Sequence, residues 1–235
     1  MPEKTCFAYG QTETAYLCAR DPVLGAAIAA IGHIDREVMP DLFAALVHAI
    51  VGQQIATKAQ ATICARMLAQ VVPMTAQTVC AMPDEALQAC GISFKKAGCI
   101  RAIAAAVLDG SLDLAALQTQ PTEAVCARLC QLRGIGVWTA EMLLLFSMQR
   151  PDVLSEGDLA IQRGLRMLYR HRRITPAIFA RYRRRYAPYA SVASLYLWAI
   201  AGGACPGLSD PAARPPRKAD AGKPRAGANN ARRTT

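Results

Sequence analysis

The chain has 235 residues, 53% of them hydrophobic, which is enough to bury a large core and excludes a mostly unstructured polypeptide. Its 27 lysines and arginines against 17 aspartates and glutamates leave a formal charge of +10, which favours an acidic partner, nucleic acid first among them. No run reaches the roughly 18 apolar residues needed to span a bilayer, and the start MPEKTCFAYGQTET lacks a basic-then-apolar signal, so neither membrane association nor secretion is expected.

Apolar residues recur at helical spacing in almost every long segment, and nowhere does a period-two alternation persist. Segment 40–52 (PDLFAALVHAIVG) places Leu42, Leu46, Val47 and Ile50 on one face, behind a proline near its start. Further helices are predicted over about 56–70, 83–89, 95–109, 121–131, 138–147, 158–169, 175–185 and 188–201. Breaks fall at the turn signals VVPM, ACG, DGS, RGIG and RPD. The predicted class is all-α, filling residues 1–204. After that point the composition changes, and residues 205–235 read as a basic disordered tail able to add non-specific phosphate attraction.

The nine cysteines are odd in number and form no C-x-x-C pair, so neither a disulfide framework nor zinc is expected, and the compartment implied is a reducing cytoplasm. Cys126 and Cys130 share a helical face, but without a nearby histidine or second pair they read as core thiols.

Between two predicted helices stands Leu132-Arg133-Gly134-Ile135-Gly136-Val137-Trp138-Thr139-Ala140. Two glycines around one apolar residue permit a tight turn, and the next helix then begins with unpaired N–H groups, a natural seat for a phosphate. An ordinary helix–helix turn fits the glycines equally well. Twenty residues after Trp138 comes Asp158, at the end of PDVLSEGD and directly before the apolar-periodic Leu159-Ala160-Ile161, where it suits a helix N-cap. From Leu159 to Ser209 there is no acidic side chain, while 163–185 holds nine arginines, Arg163 among them; so one-sided a run favours phosphate contact over a merely solvated face.

The hairpin with its trailing aspartate, together with DPVL at 21–24, AIVGQQIAT at 49–57, GISFKKAGCIRAIA at 91–104 and YAPYASVASLYLW at 186–198, resembles the helix-hairpin-helix DNA glycosylases, and within them the 3-methyladenine DNA glycosylase II branch. The resemblance covers about residues 15–203. It implies a two-lobed fold with the DNA cleft between the lobes, a central helical cluster as one lobe and both ends of the chain as the other. The implied activity is hydrolysis of the N-glycosidic bond of alkylated purines, 3-methyladenine and 7-methylguanine, in damaged double-stranded DNA, acting as a monomer and leaving an abasic site.

The same resemblance distributes roles. Asp158 is the catalytic carboxylate, with Glu156 and Asp152 as nearby alternatives, while Glu141 reads as a solvated or salt-bridged surface group. Trp138, Trp198 and Met142 would line the pocket for an extruded base. Trp138 stands where bifunctional relatives carry a Schiff-base lysine, implying a monofunctional enzyme without lyase activity. Gln54 would wedge into the gap left by the flipped nucleotide, with Gln53 bonded within the protein. Arg133, Gly134, Gly136, Thr139 and Arg163 would contact DNA. The main-chain carbonyls of Cys130, Leu132 and Ile135 would hold a structural Na+ or K+ at the hairpin, no cofactor being required for the chemistry. Cluster-bearing relatives carry four cysteines after the last helix; only Cys205 lies there, so no iron–sulfur cluster is expected. The family's Trp-x-Pro-x-Arg-Ser block reads here as Tyr186, Pro188, Ala190 and Ser191. That departure keeps open an oxidised or deaminated purine as substrate, and a non-catalytic damage binder stands as the alternative outside enzymology.

Overall fold

The computed structural model describes residues 5–212. Among them the chain forms thirteen helices: α1 (Gln11–Arg20), α2 (Pro22–Ile31), α3 (Leu42–Gly52), α4 (Thr57–Gln70), α5 (Ala76–Ala81), α6 (Asp84–Ala89), α7 (Phe94–Leu108), α8 (Leu114–Thr119), α9 (Thr122–Cys130), α10 (Val137–Phe146), α11 (Leu159–Tyr169), α12 (Pro176–Tyr186) and α13 (Ala190–Ala201). Apart from one isolated antiparallel bridge, Cys6 to Glu37, no β pairing occurs among the described residues. The predicted helices are present within one or two residues at each end. Four others lie outside the prediction. α5 and α8 are six residues long, too short to show a period; α1 is largely polar; and α2, PVLGAAIAAI, is apolar all round.

Helix starts are written in the capping chemistry. Asp21 caps α2 ahead of Pro22, Asp41 caps α3, Ser93 caps α7, Asp113 caps α8, Asp158 caps α11, and Thr175 caps α12 ahead of Pro176. The helices sort into two groups. α3 to α7, α9 and α10 pack together as the central cluster, while α1 and α2 pack with α11, α12 and α13 from the other end of the chain. The tightest pair is α11 with α13, because Gly164 lets the backbones meet: a Cβ there would stand 2.3 Å from the Leu197 carbonyl oxygen.

Asp21 ties the terminal group together. Only 2% exposed, its Oδ1 accepts the N–H groups of Val23 and Leu24, each at 3.1 Å, and its Oδ2 accepts Tyr169 Oη–H at 2.7 Å and Arg185 Nη1–H at 2.9 Å. Burial opposes its ionisation, but the hydrogen bonds from Arg185 and Tyr169 prevail and hold the carboxyl below its ordinary value. Residues 205–212, assigned by composition to the tail, return to the body: Cys205 and Leu208 pack on the core, and Asp210 takes Arg166 at 2.9 and 2.5 Å. The rest of that predicted tail lies outside the described residues.

Candidate active site

The site is assembled where the two groups of helices meet, by four segments. The first is the hairpin between α9 and α10. Gly134 sits at φ +90°, in the left-handed region, and a Cβ there would lie 3.1 Å from Cys99 Sγ, so both conformation and space call for glycine. Ile135, 5% exposed, tucks into the core, and its N–H closes the turn on the Leu132 carbonyl at 3.0 Å. Gly136 then stands at the N-cap of α10 with no side chain to offer, leaving the first N–H groups of the helix without a side-chain acceptor. Arg133 is exposed beside it; Thr139, by contrast, is buried, so its side chain is withdrawn from any surface contact and only its first-turn N–H remains for one.

The second segment is the loop after α3. Gln54 is exposed at φ +58°, a conformation uncommon for a residue with a side chain. Its neighbour Gln53 donates through Nε2 to the Gly134 carbonyl at 2.7 Å, and Lys96 Nζ donates to the carbonyls of Val51 and Gln53 at 2.8 and 2.7 Å. The loop and the hairpin are thereby strapped side by side. The predicted inward role of Gln53 is realised; the Lys96 strap was not visible in sequence because it joins positions 43 and 45 residues apart.

The third segment carries Asp158, 6% exposed and N-cap of α11. Its Oδ1 accepts Ala160 N–H at 2.9 Å, Ile161 N–H at 2.8 Å and Trp198 Nε1–H at 3.1 Å; Oδ2 accepts Trp138 Nε1–H at 2.8 Å. The two tryptophans taken in sequence for pocket walls thus meet at the aspartate, one from α10 and one from α13. Oδ1 is saturated, whereas Oδ2 has a single donor and keeps acceptor capacity for a reacting group. Trp138 is 50% exposed, so its ring face stays open while its N–H is engaged. The loop before Asp158 is stapled to α13: Val153 N–H donates to Ser191 Oγ at 3.0 Å, Ser191 Oγ–H to the Arg150 carbonyl at 2.5 Å, and Ser194 Oγ–H to the Val153 carbonyl at 3.0 Å. Ala190, in the place of the family arginine, is fully buried.

The fourth segment is the rest of α10 and its surroundings. Met142, one turn beyond Trp138, is half-buried. Phe146, a residue the sequence did not single out, lies with its ring centroid 5.4 Å from that of Trp198, and the Arg36 guanidinium stands over the Phe146 ring, 4.7 Å from its centroid. Leu159, immediately after the aspartate, is 80% exposed, an apolar side chain offered to whatever approaches Asp158. Glu141 corrects the sequence reading: it is half-buried and accepts the hydroxyl of the buried Ser155 at 2.5 Å, and burial pushes its carboxyl above the ordinary range. Since the Ser155 carbonyl receives the Asp158 N–H at 3.4 Å, Glu141 anchors the turn that ends on the aspartate. Arg163 is exposed and stands 4.0 Å from Asp210, which it shares with Arg166. Cys126 and Cys130 are half-buried, and burial together with the neighbouring Cys130 pushes the Cys126 thiol up to about 11, as suits an inert thiol.

What these parts can do chemically is hold a carboxylate still, in a dry setting, beside an open aromatic face and a helix N-terminus that attracts anions. Comparisons with known proteins place the chain in a family. Residues 47–188 match the family model described as HhH-GPD superfamily base excision DNA repair protein. The chain is 36% identical over 119 residues to DNA-3-methyladenine glycosylase 1 of Schizosaccharomyces pombe, covering 50% of this chain and 52% of the relative. It is 30% identical over 175 residues to DNA-3-methyladenine glycosylase 2 of Escherichia coli, covering 69% and 58%. The chain therefore spans between half and three-fifths of the length of these two relatives. Among solved structures, a DNA-3-methyladenine glycosidase from Bacillus halodurans superposes with a TM-score of 0.76 at 34% identity, over 85% of this chain and 93% of that one. The 3-methyladenine DNA glycosylase of S. pombe in complex with abasic DNA gives 0.72 at 28% identity, over 82% and 97%. A match to the family model over more than half of the sequence, together with the shared fold, means that the chain belongs to the HhH-GPD superfamily of base excision DNA repair proteins.

Proposed function

We propose that this protein excises alkylated purines, 3-methyladenine and 7-methylguanine, from double-stranded DNA by hydrolysing the N-glycosidic bond. The observation that carries the reading is Asp158, buried between two indole donors with acceptor capacity left on Oδ2. As the base departs, positive charge grows on the deoxyribose. A carboxylate about 4 Å away at an effective dielectric near 20 stabilises it by roughly 4 kcal/mol, or about a thousandfold in rate. A cationic alkylpurine already leaves readily, so help of that size suffices. The base, turned out of the stack, would lie against the exposed face of Trp138, whose ring suits a cation. Met142, Phe146 and Leu159 would complete the walls, and Gln54 would occupy the gap in the duplex.

The hairpin and the first turn of α10 would grip the backbone through main-chain N–H groups at Gly134 and Gly136, with Arg133 beside them, positioning the strand without reading its sequence. The main-chain carbonyls of Cys130, Leu132 and Ile135 would hold a Na+ or K+ that lends charge to the phosphate contact; the turn bond from the Ile135 N–H leaves one lone pair free on the Leu132 oxygen. Because Trp138 offers no nucleophilic amine, strand cleavage is not part of the proposed reaction, which ends at an abasic site. We propose that the protein acts as a monomer; none of its described helices is long and apolar enough to cross a membrane.

The test is single-turnover release of free base from methylated duplex DNA without alkali. Release of 3-methyladenine or 7-methylguanine from an uncut strand is the expected result, and Asp158→Asn should keep duplex affinity while losing turnover by about a thousandfold. Full activity in that variant would remove the aspartate from the mechanism. Binding of the damaged duplex with no release from the unaltered protein would turn the reading toward a damage binder.

A further inference from the structure

Away from Asp158, at the other end of α11, the arginine-rich stretch builds something the excision reading does not use. Arg20, the last residue of α1, and Arg181, Arg184 and Arg185 of α12 line a shallow recess of about 340 Å³, and among the described residues no other lines it. That volume lies at the low end of the range for ligand clefts, about 300–1,000 Å³. The three α12 positions fall on one face because they are spaced three and four apart, whereas Arg183 points to the far side, into the groove that holds Glu141.

Four like charges converging in one concavity repel unless something answers them. Elsewhere half-buried arginines are answered by acids or by carbonyls: Arg101 has Asp84, Arg166 has Asp210, and Arg150 donates to the carbonyls of Leu117, Gln118 and Gln120. Here the nearby acid is Asp21, which already takes two backbone N–H groups, the Tyr169 hydroxyl and Arg185. A carboxylate has about four lone-pair sites, so all of its capacity is committed. Arg20, Arg181 and Arg184 form no ion pair among the described residues. The carbonyl ends of α1 and α12 ease the repulsion somewhat, which explains why the fold tolerates the cluster, but they do not use the outward-facing guanidinium donors. Arg185, pinned by Asp21, and Arg181, 5.3 Å over the Tyr182 ring, are held in place in advance.

We infer that this recess is a second anion site, distinct from the hairpin, that takes a phosphate-bearing ligand: either the backbone of a nucleic acid or a free polyphosphate. Planar guanidinium forks match phosphate oxygens two at a time, which favours phosphate over halide and over a single carboxylate.

The experiment uses the full chain carrying Asp158→Asn, so that no turnover interferes and the outcome is independent of the excision reading. Tripolyphosphate is titrated calorimetrically at low salt, and the salt dependence of undamaged duplex binding is measured in parallel. The comparison is with Arg20→Ala/Arg184→Ala in the same background, which leaves the Asp21 contact of Arg185 untouched; an unchanged Tm shows that the fold is intact. Loss of tripolyphosphate affinity by about tenfold or more supports the site. If the duplex salt slope also falls by about two, the source is nucleic-acid backbone; if the slope is unchanged, the source is a free polyphosphate. Equal tripolyphosphate binding by both proteins, with equal slopes, overturns the inference. So does displacement of tripolyphosphate by an equal charge concentration of polyglutamate, which would make the recess a seat for acidic protein.

Discussion

Asp158 shows how far a single residue can be read from its neighbours. An aspartate before an apolar-periodic segment announces an N-cap, and the two first-turn N–H bonds to Oδ1 are that cap. The indole bonds could not be seen in the same way, because they come from residues 20 and 40 positions distant and depend on how α10 and α13 converge. Glu141 was misread for a related reason: its partner Ser155 lies in a loop with no periodicity to place it. Its role yields a prediction at this scale. Glu141→Gln keeps an acceptor for the serine hydroxyl and should retain most activity. Glu141→Ala and Ser155→Ala should each lower single-turnover excision by about tenfold, the equivalent of roughly 1.4 kcal/mol, with duplex affinity unchanged. The double variant should lose little more than either one. Additive losses, or an equally impaired glutamine variant, would show that the carboxylate acts in some other way.

At the scale of elements, helix class and approximate bounds were legible because capping residues and apolar spacing are local properties. Pairing was not legible. Nothing in the α11 sequence says that Gly164 faces the Leu197 carbonyl, since a glycine inside a helix ordinarily signals only lost stability. The contact has a measurable consequence. In Gly164→Ala the new methyl meets backbone rather than a movable side chain, so we predict a loss of about 3 kcal/mol, seen as a fall in Tm of roughly 6–12 °C. Because α11 carries Asp158 and α13 carries Trp198, excision at a temperature where the variant is still folded should fall as well. A variant with unaltered Tm would mean that the helices are free to slide apart.

For the molecule as a whole, the sequence resemblance supplied the two-lobed arrangement, while composition alone could supply only the helical class and the basic charge. The terminal group of helices is drawn from residues separated by most of the chain, and its buried fastening is Asp21, which links α2 to α11 and α12. Its carboxyl titrates below the ordinary 3.8, so the stability it contributes is complete above that value and is lost as the pH falls through the lower folded one. Asp21→Ala should therefore cost about 2–3 kcal/mol at neutral pH, the half-exposed Arg185 keeping the loss below that of a fully buried pair. Its unfolding free energy should also change less steeply below pH 4 than that of the unaltered protein, which denaturant titrations across that range would reveal.

The chain contains two tryptophans, and both give their indole N–H to Asp158. Its tryptophan emission, excited at the red edge where the seven tyrosines do not absorb, thus originates entirely beside the carboxylate proposed to carry the chemistry. The protein is in this sense already labelled: a base stacking on Trp138, a sugar cation drawing on Oδ2, or the aspartate exchanged for asparagine would each alter the field at one or both indoles. Stopped-flow fluorescence of the unmodified protein can accordingly time the arrival of a base at the site separately from the cleavage of its bond, with no probe attached to protein or DNA.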